Sequence, residues 1–338
     1  MNHASWLLPA PPRPPTEFAV AHREGSARLL RFRLAADHGG DDAPRPSRGT
    51  LLIVPSLINR WYVLDLRPGR SVVEALTASG VDVWLLDWGG ARDEDRHLRW
   101  DDILARLRRA VRRVRRATGG DPIAMLGYCM GGTLAAIHAG LHPEDVSALV
   151  NLAGPIDFSE GGELTRLVDR RWFDPAAVAA AGNIGASQME SGFSALRPTL
   201  PASKWVQWMD RWHDEAWREG FIALESWARD NVAFPAAAYE TYIRALYQDN
   251  ELMRGVHHVA GRRVDLQRYE GPALVICAER DTICPAAAAT ALLGLCGAPQ
   301  AEKDVLMVPG GHIGAVVGSA APRSMYPALT SWLHVHAT

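Results

Sequence analysis

The sequence of 338 residues is poor in cysteine, with only four, at positions 129, 277, 284 and 296. Four cysteines in a chain of this length are too few for a disulfide scaffold, and no C-x-x-C pair indicates a zinc or redox site. We therefore expect a protein of the reducing cytoplasm, in which a functional cysteine acts as a free thiol.

Lysine is also scarce, contributing two of the 36 basic residues, and 38 acidic residues leave a net charge of −2. This balance argues against a nucleic-acid-binding protein, which typically carries a clear basic excess. No run of 18 apolar residues occurs, so we expect no membrane-spanning helix. The first residues carry no basic leader, and prolines interrupt their short apolar run, so we do not interpret them as a secretory signal.

The residues that are present form an alternating pattern of short apolar runs and amphipathic stretches. Continuous apolar runs bounded by turn residues are typical of strands buried on both faces of a parallel sheet. Strands that alternate with helices predict a mostly parallel, doubly wound α/β sheet. We predict an early strand pair within 18–34, strands at 50–55, 81–87, 122–127, 146–153, 273–277 and 304–308, and helices at 70–79, 101–117, 133–141 and 324–334.

The alternation stops between about 157 and 268, where the pattern is helical. The simplest interpretation is a helical cap, 157–268, inserted into an α/β core formed by 18–156 and 269–338, after a proline-rich segment, 1–17. The cap holds six of the twelve tryptophans, at positions 172, 205, 208, 212, 217 and 227.

The strongest functional signal is Gly127-Tyr128-Cys129-Met130-Gly131-Gly132, which lies between a predicted strand and a predicted helix. Glycines around a central residue in this context are typical of a nucleophile elbow, here with cysteine in place of serine. The alternative is that Cys129 is a small buried core residue.

A nucleophile elbow predicts an acid and then a histidine later in the chain. Asp281 follows the strand at 273–277, and His312 follows the strand at 304–308. Since ligand chemistry in such sheets gathers at the carboxyl ends of strands, Cys129, His312 and Asp281 form our predicted catalytic triad. Glu279 is the rival acid.

An acyl-transfer site also needs backbone N–H groups that stabilise the oxyanion. One is expected from Met130, the residue after the nucleophile. The other should lie just after the first core strand, in Ser56-Leu57-Ile58-Asn59, and we assign it to Ile58 by analogy.

Cysteine as the nucleophile favours acyl transfer from a thioester such as acyl-CoA. The attack of a thiolate on a thioester gives another thioester, which stays activated until a hydroxyl accepts the acyl group. His312 would take the thiol proton and Asp281 would orient the imidazole. This chemistry requires no cofactor beyond the acyl-CoA substrate, and we expect no metal site, since His257-His258 have no third ligand nearby in sequence.

The helix at 104–116 combines an apolar stripe with seven arginines. A solvated face over the sheet is the simpler interpretation. The alternative is a docking surface for an acidic carrier protein or for the phosphates of CoA.

Seven segments together carry a resemblance to a known family: Pro55–Leu66, Ser71–Gly89, the cysteine elbow, Phe221–Trp227, Leu246–Leu252, Arg263–Leu266 and Pro309–Gly314. They resemble the polyhydroxyalkanoate synthase family, especially the short class III catalytic subunits, and the resemblance runs from about residue 25 to the C-terminus. It implies an α/β-hydrolase fold with Cys129 as the acyl-bearing nucleophile, His312 as the general base and Asp281 as the acid that assists the hydroxyl.

The resemblance also implies the reaction: polymerisation of (R)-3-hydroxyacyl-CoA to a polyester with release of CoA. It implies a homodimer or an assembly with a second synthase subunit, and a cytoplasmic location that includes the polyester granule. Tyr128, Leu57, Trp227 and Ile313 are our candidates for substrate binding. Trp227 is chosen because its segment resembles the family's cap, although core packing would explain a cap tryptophan equally well.

Three other functions stay open at this point. One is the transfer of a single acyl group from CoA or a carrier protein to a small acceptor. Another is a cysteine esterase or hydrolase on the same fold, and the last is a granule-binding protein without activity.

Overall fold

The computed structural model describes residues 13–34, 48–195 and 208–337. Most of the proline-rich segment, residues 35–47 and Trp205 therefore lie outside the described residues.

An eight-stranded sheet forms the centre of the described chain, in the order β1-β2-β6-β3-β7-β8-β11-β12. The pairings of β1 with β2 and of β2 with β6 are antiparallel, and the other neighbours are parallel. The residues that the structure describes form the strands β1 (Phe18–Glu24), β2 (Ala27–Phe32), β3 (Thr50–Val54), β4 (Asp65–Arg67), β5 (Arg70–Ser71), β6 (Asp82–Asp87), β7 (Ile123–Tyr128), β8 (Val146–Leu152), β9 (His258–Val259), β10 (Arg262–Arg263), β11 (Ala273–Ala278) and β12 (Lys303–Val308).

The central strands are apolar because helices cover both faces of the sheet. Every residue of β6, β7 and β11 is buried. The α-helices are α1 (Val72–Ala78), α2 (Trp100–Ala117), α3 (Met130–Leu141), α4 (Gly162–Leu167), α5 (Pro175–Ala180), α6 (Ala186–Ala195), α7 (Glu215–Arg229), α8 (Ala236–Thr241), α9 (Ala286–Leu295), α10 (Gly314–Val317) and α11 (Met325–His336).

The amphipathic helix predicted at 101–117 is α2. Its apolar stripe, which includes Leu104, Leu107, Val111 and Val114, is buried against the sheet. Its arginines lie on the opposite side, where five of them, at positions 108, 109, 112, 113 and 116, are exposed.

The segment between β8 and β11 contains α4 to α8 and a π-helix, Tyr242–Gln248. The helical interpretation of this whole segment was wrong at 258–263, where β9 and β10 form a two-stranded hairpin. Six residues give too little pattern to separate a hairpin from a helical turn. Side-chain hydrogen bonds join this segment to the residues that follow β3. Among them, Asn59 Nδ2 donates to Asn231 Oδ1 at 2.6 Å, and Tyr62 Oη donates to Asp230 Oδ2 at 3.0 Å.

Within the described part of the chain, no helix combines the length and apolar character needed to cross a membrane.

Candidate active site

Cys129 is the single residue between the end of β7 and the start of α3, and its backbone has φ 55° and ψ −128°. A positive φ is unfavourable for a residue with a Cβ and costs about 1–3 kcal/mol, which surrounding contacts must offset. Two backbone hydrogen bonds hold the turn: the Cys129 N–H donates to Leu152 O at 3.0 Å, and the Gly132 N–H donates to Cys129 O at 2.8 Å. The Cys129 side chain is half-buried, whereas the other three cysteines are buried and also unbridged. The strand therefore turns directly into the helix and leaves this one thiol accessible.

Three glycines allow the turn because other groups approach them too closely for a side chain. A Cβ on Gly131 would lie 1.8 Å from Val54 O, and one on Gly127 would lie 2.3 Å from Gly131 O. A Cβ on Gly132 would lie 2.1 Å from the Asn151 side-chain oxygen. The helix thus starts at Met130, three residues before the start predicted at Thr133, because no turn residues separate it from the elbow.

The predicted acid and base meet at the carboxyl ends of β11 and β12. The Nδ1–H of His312 donates to Asp281 Oδ2 at 2.7 Å, and both side chains are buried. The other carboxylate oxygen, Oδ1, accepts the backbone N–H groups of Ile283 and Cys284, each at 2.9 Å. With its carboxylate fixed in this way, Asp281 orients the imidazole so that Nε2 is free for chemistry.

The rival acid, Glu279, has an exposed side chain, and Asp281 makes the bond to the histidine. The structure therefore favours Asp281 as the orienting acid.

His312 is electrostatically coupled to Cys129. Its Nε2 is buried and makes no conventional hydrogen bond to a nitrogen or oxygen atom of the described residues. Burial of the ring opposes protonation, but the charge of a Cys129 thiolate and hydrogen bonding with Asp281 and Cys129 outweigh it, raising the pKa of His312 from 6.5 to about 10. The arrangement therefore favours a protonated imidazole beside Cys129, and a neighbouring cation of this kind activates a cysteine nucleophile.

This coupling predicts that Cys129→Ala lowers the pKa of His312, because the electrostatic effect of Cys129 is the largest of the contributions that raise this pKa. The imidazole of the wild-type protein should hold its proton up to about pH 10, and the variant should lose it at a lower pH. NMR titration of the ring nitrogens measures both values. Cys284→Ala is the matched control, and an unchanged pKa in Cys129→Ala would contradict the coupling.

The two predicted oxyanion donors differ in their surroundings. Met130 is the first residue of α3, so its N–H has no acceptor within the helix and is available to a substrate oxygen. The Ile58 N–H instead donates to Ser56 Oγ at 3.2 Å, so it is engaged within its own turn. The adjacent Leu57 N–H makes no hydrogen bond to the described residues, which makes it the better candidate for the second donor.

The four predicted substrate-binding residues lie in different settings. The Tyr128 ring stacks on His312 with centroids 5.4 Å apart, and Ile313 is partly buried beside the apolar layer that Cys129 also contacts. Leu57 is buried in the apolar layer on the other face of the sheet. Trp227 is only 3% exposed and donates its Nε1–H to Arg60 O at 2.8 Å, so it packs the cap against the core.

Sequence analysis assigned no role to Tyr242 or Tyr247, although it named the segment Leu246–Leu252, which contains Tyr247. Both tyrosines belong to the π-helix of the cap. The charge of Cys129 contributes to the raised pKa of both phenols, after burial, so both lie within electrostatic range of the thiol. No sequence pattern marks a π-helix, so the signals that the sequence offered were the aromatic character of both residues and the family-like segment around Tyr247.

One group of described residues has metal-ligand spacing: the ligand atoms of His142, Glu144 and Asp145 lie within 4.8 Å of one another. Asp145 is already paired with Arg115. The group precedes β8 and therefore lies at the amino ends of the strands, opposite the end that carries Cys129. It takes no part in the arrangement around the thiol.

Comparison with known proteins places this geometry in a family. Residues 49–319 match the α/β hydrolase fold family. The chain is 33% identical over 309 residues to the poly(3-hydroxyalkanoate) polymerase subunit PhaC of Allochromatium vinosum, covering 91% of this chain and 86% of that protein. The chain belongs to the PhaC family.

Other PhaC subunits show the same similarity. The subunit of Synechocystis is 33% identical over 322 residues, covering 93% of this chain and 83% of the relative. The subunit of Haloferax mediterranei is 35% identical over 317 residues, and the chain spans 63% of that longer protein. The family resemblance inferred from the cysteine elbow, Pro309–Gly314 and the other similar segments is thereby confirmed.

Solved structures share the fold at low identity. A soluble variant of monoglyceride lipase from Saccharomyces cerevisiae superposes with a TM-score of 0.57 at 14% identity, covering 98% of this chain and 99% of that one. A hydrolase from Pseudomonas aeruginosa gives 0.56 at 18% identity, covering 94% and 98%. At these identities the likeness concerns the fold alone, and it confirms the predicted α/β-hydrolase fold.

Proposed function

We propose that this PhaC-family chain polymerises (R)-3-hydroxyacyl-CoA to a polyester, carrying the acyl group as a thioester on Cys129 and releasing CoA. The observation that supports this proposal most directly is that a cysteine, not a serine, occupies the strained elbow beside His312. Asp281 orients the His312 imidazole through the hydrogen bond of 2.7 Å between Nδ1 and Oδ2.

The first half-reaction loads the cysteine. His312 Nε2 accepts the thiol proton, and the thiolate attacks the thioester carbonyl of the substrate. The N–H groups of Met130 and Leu57 stabilise the resulting oxyanion. A bond from Cys129 Sγ to the acyl carbon forms, the bond from that carbon to the CoA sulfur breaks, and the CoA sulfur takes the proton from His312.

The second half-reaction makes the ester bond. A hydroxyl group of another hydroxyacyl unit attacks the acyl-Cys129 thioester while His312 accepts its proton. The new oxygen–carbon bond forms, the bond to Sγ breaks, and the proton returns to the thiolate. Because the acyl group stays a thioester until this step, it keeps the activation that it had on CoA.

These steps use protein groups alone, so we propose that the enzyme works without a cofactor. We also propose that it acts in the cytoplasm at the polymer surface and assembles as a homodimer or with a second synthase subunit, as PhaC is named a subunit in the relatives. Light scattering of the purified chain, alone and with a co-expressed neighbouring gene product, tests the assembly.

Purified protein incubated with (R)-3-hydroxybutyryl-CoA tests the reaction when free CoA and product mass are followed together. We expect CoA release with high-mass polyester. Release with only free hydroxy acid would indicate a hydrolase, and release with a short ester of an added small acceptor would indicate single acyl transfer. Either product in place of polymer would contradict the proposal.

A further inference from the structure

Two cap tyrosines pack on the segment that crosses the nucleophile elbow. Gly154 follows β8 and lies against the elbow, since a Cβ there would be 2.7 Å from Cys129 O. Four residues later, the Phe158 ring contacts Tyr247 at a centroid distance of 4.7 Å and Tyr242 at 6.0 Å. A short run of chain therefore connects the reacting cysteine to both phenol rings.

A second set of contacts connects Tyr247 to the loop of the catalytic acid. A Cβ on Gly161 would lie 3.4 Å from Tyr247 Cε1, and one on the adjacent Gly162 would lie 3.0 Å from Thr282 O. Thr282 directly follows Asp281. Gly161 and Gly162 therefore lie between the Tyr247 ring and the loop that carries Asp281.

The π-helix explains why both tyrosines occupy this place. In an α-helix, residues five apart differ by about 140° in direction. In the π-helix of Tyr242–Gln248, the two rings are brought into edge-to-face contact with centroids 5.4 Å apart. π-Helical turns are uncommon and occur frequently at functional sites.

The side chain of Asn250 fixes the end of this segment. Its backbone has φ 47°. Its Oδ1 accepts the Phe158 N–H at 3.0 Å, and its Nδ2 donates to Asp157 Oδ1 at 2.8 Å. The tyrosine pair and the elbow segment are thus held as one unit.

The hydroxyls of the two tyrosines have no structural partner other than each other among the described residues. Tyr62, Tyr269 and Tyr326 each donate to a fixed acceptor within the described chain. Tyr242 and Tyr247 hydrogen-bond to one another instead. Burial is the largest cause of the raised pKa of both phenols. Cys129 comes next for Tyr247, whereas Tyr247 and then Cys129 come next for Tyr242, so both phenols stay neutral donors at neutral pH.

The surroundings of this hydroxyl pair are apolar, with Phe158, Phe234 and Leu246 in the same buried cluster. A polar pair in an apolar wall is the usual means of orienting a ligand with one polar substituent. The substrate that we propose for this site carries such a substituent, a hydroxyl on the third carbon of its acyl chain.

We propose that the hydroxyl pair of Tyr242 and Tyr247 binds the 3-hydroxyl oxygen of the acyl group loaded on Cys129, and so selects 3-hydroxyacyl over unsubstituted acyl thioesters. This inference rests on the proposed function. The tyrosines donate hydrogen bonds and transfer no proton; His312 carries the thiol proton to the CoA sulfur as Cys129 is acylated.

The expected selectivity is moderate. A buried site that hydrogen-bonds a substrate hydroxyl rejects an analogue without it because polar groups are left unpaired. Here the two phenols bond to each other when the hydroxyl is missing, which relieves part of that penalty. We therefore expect a preference of about 10- to 100-fold, the range of one or two net hydrogen bonds.

The test measures acylation of Cys129 in a single turnover of the full chain. Intact-protein mass spectrometry follows acyl attachment from (R)-3-hydroxybutyryl-CoA and from butyryl-CoA. In Tyr242→Phe and Tyr247→Phe, the rate with the hydroxylated substrate should fall while the rate with butyryl-CoA is kept, so that their ratio moves toward one. A merely structural role would lower both rates together.

Tyr239→Phe is the matched control. Tyr239 lies in the same cap and packs against Phe234, but burial alone raises the pKa of its phenol, with no contribution from Cys129. In Tyr239→Phe, the ratio of the acylation rates with the two substrates should match that of the wild type.

Wild-type rates that are equal for the two substrates would overturn the inference. The inference would also be overturned if both single variants and the double variant kept the wild-type ratio of the acylation rates with (R)-3-hydroxybutyryl-CoA and butyryl-CoA. If one Phe variant fails to fold, the other decides, because each removes one hydroxyl of the pair. A wild-type protein that is acylated by neither substrate would overturn the proposed function, and this inference with it.

Discussion

Cys129→Ala is expected to lower CoA release from (R)-3-hydroxybutyryl-CoA by about 10⁴-fold or more, the scale on which removal of a nucleophile acts. The mutation removes the only half-exposed thiol of the four cysteines. Alanine at φ 55° needs no different backbone from the one that cysteine already adopts, so the fold should be kept. CoA release measured by a thiol reagent gives the effect, with thermal unfolding as the check on folding.

Cys296→Ala is the control for this result, because Cys296 is buried in the core and its thiol approaches Leu293 O at 3.9 Å. Its rate should stay within a few-fold of the wild type. Cys129→Ser should load the acyl group slowly as an oxoester and release it onto water, so any CoA that it frees should appear with free hydroxy acid. Full polymer synthesis by Cys129→Ala would contradict the assignment of the nucleophile.

Gly131→Ala is expected to destabilise the protein by about 3 kcal/mol or more and to abolish activity. The new Cβ would lie 1.8 Å from Val54 O and 2.9 Å from Pro55 O. Both are backbone atoms, and Val54 is fixed by pairing with Gly127, so neither can move away without separating β3 from β7. The helix must shift instead, which displaces the Met130 N–H and the elbow. Denaturant unfolding measures the stability.

Gly294→Ala is the matched control within a helix. Gly294 is exposed on α9, and a Cβ added there would meet nothing within 4 Å. Alanine at this position should be neutral or should stabilise the helix by about 0.5–1 kcal/mol. A Gly131→Ala protein as stable and active as Gly294→Ala would show that the elbow is not packed as described.

The sheet and the positions of the three residues of the proposed triad could be predicted from sequence because each follows a local pattern. Buried strands such as β6 and β7 consist of continuous apolar runs. Asp281 and His312 were found because both follow such runs, and the carboxyl ends of parallel strands meet at one edge. Their hydrogen bond of 2.7 Å is the long-range consequence of two local patterns.

The details that could not be predicted depend on contacts between distant segments. The oxyanion assignment to Ile58 failed to anticipate that Ser56 Oγ accepts its N–H. Trp227 was predicted to bind substrate because its segment resembles the family's cap. Its Nε1–H instead donates a hydrogen bond to Arg60 O, 167 positions away in the chain. The π-helix that pairs Tyr242 with Tyr247 has no sequence signature, since it differs from an α-helix only in its hydrogen bonding.

The central claim is that Cys129 carries the acyl group, and the most direct measurement is to find that group. The protein is mixed with one equivalent of (R)-3-hydroxybutyryl-CoA, quenched in acid, digested and mapped by tandem mass spectrometry. The account predicts a hydroxybutyryl or oligomeric hydroxybutyryl group on Cys129, absent from Cys129→Ala. Release of CoA with the acyl group on another residue, or on none at any time point, would contradict it.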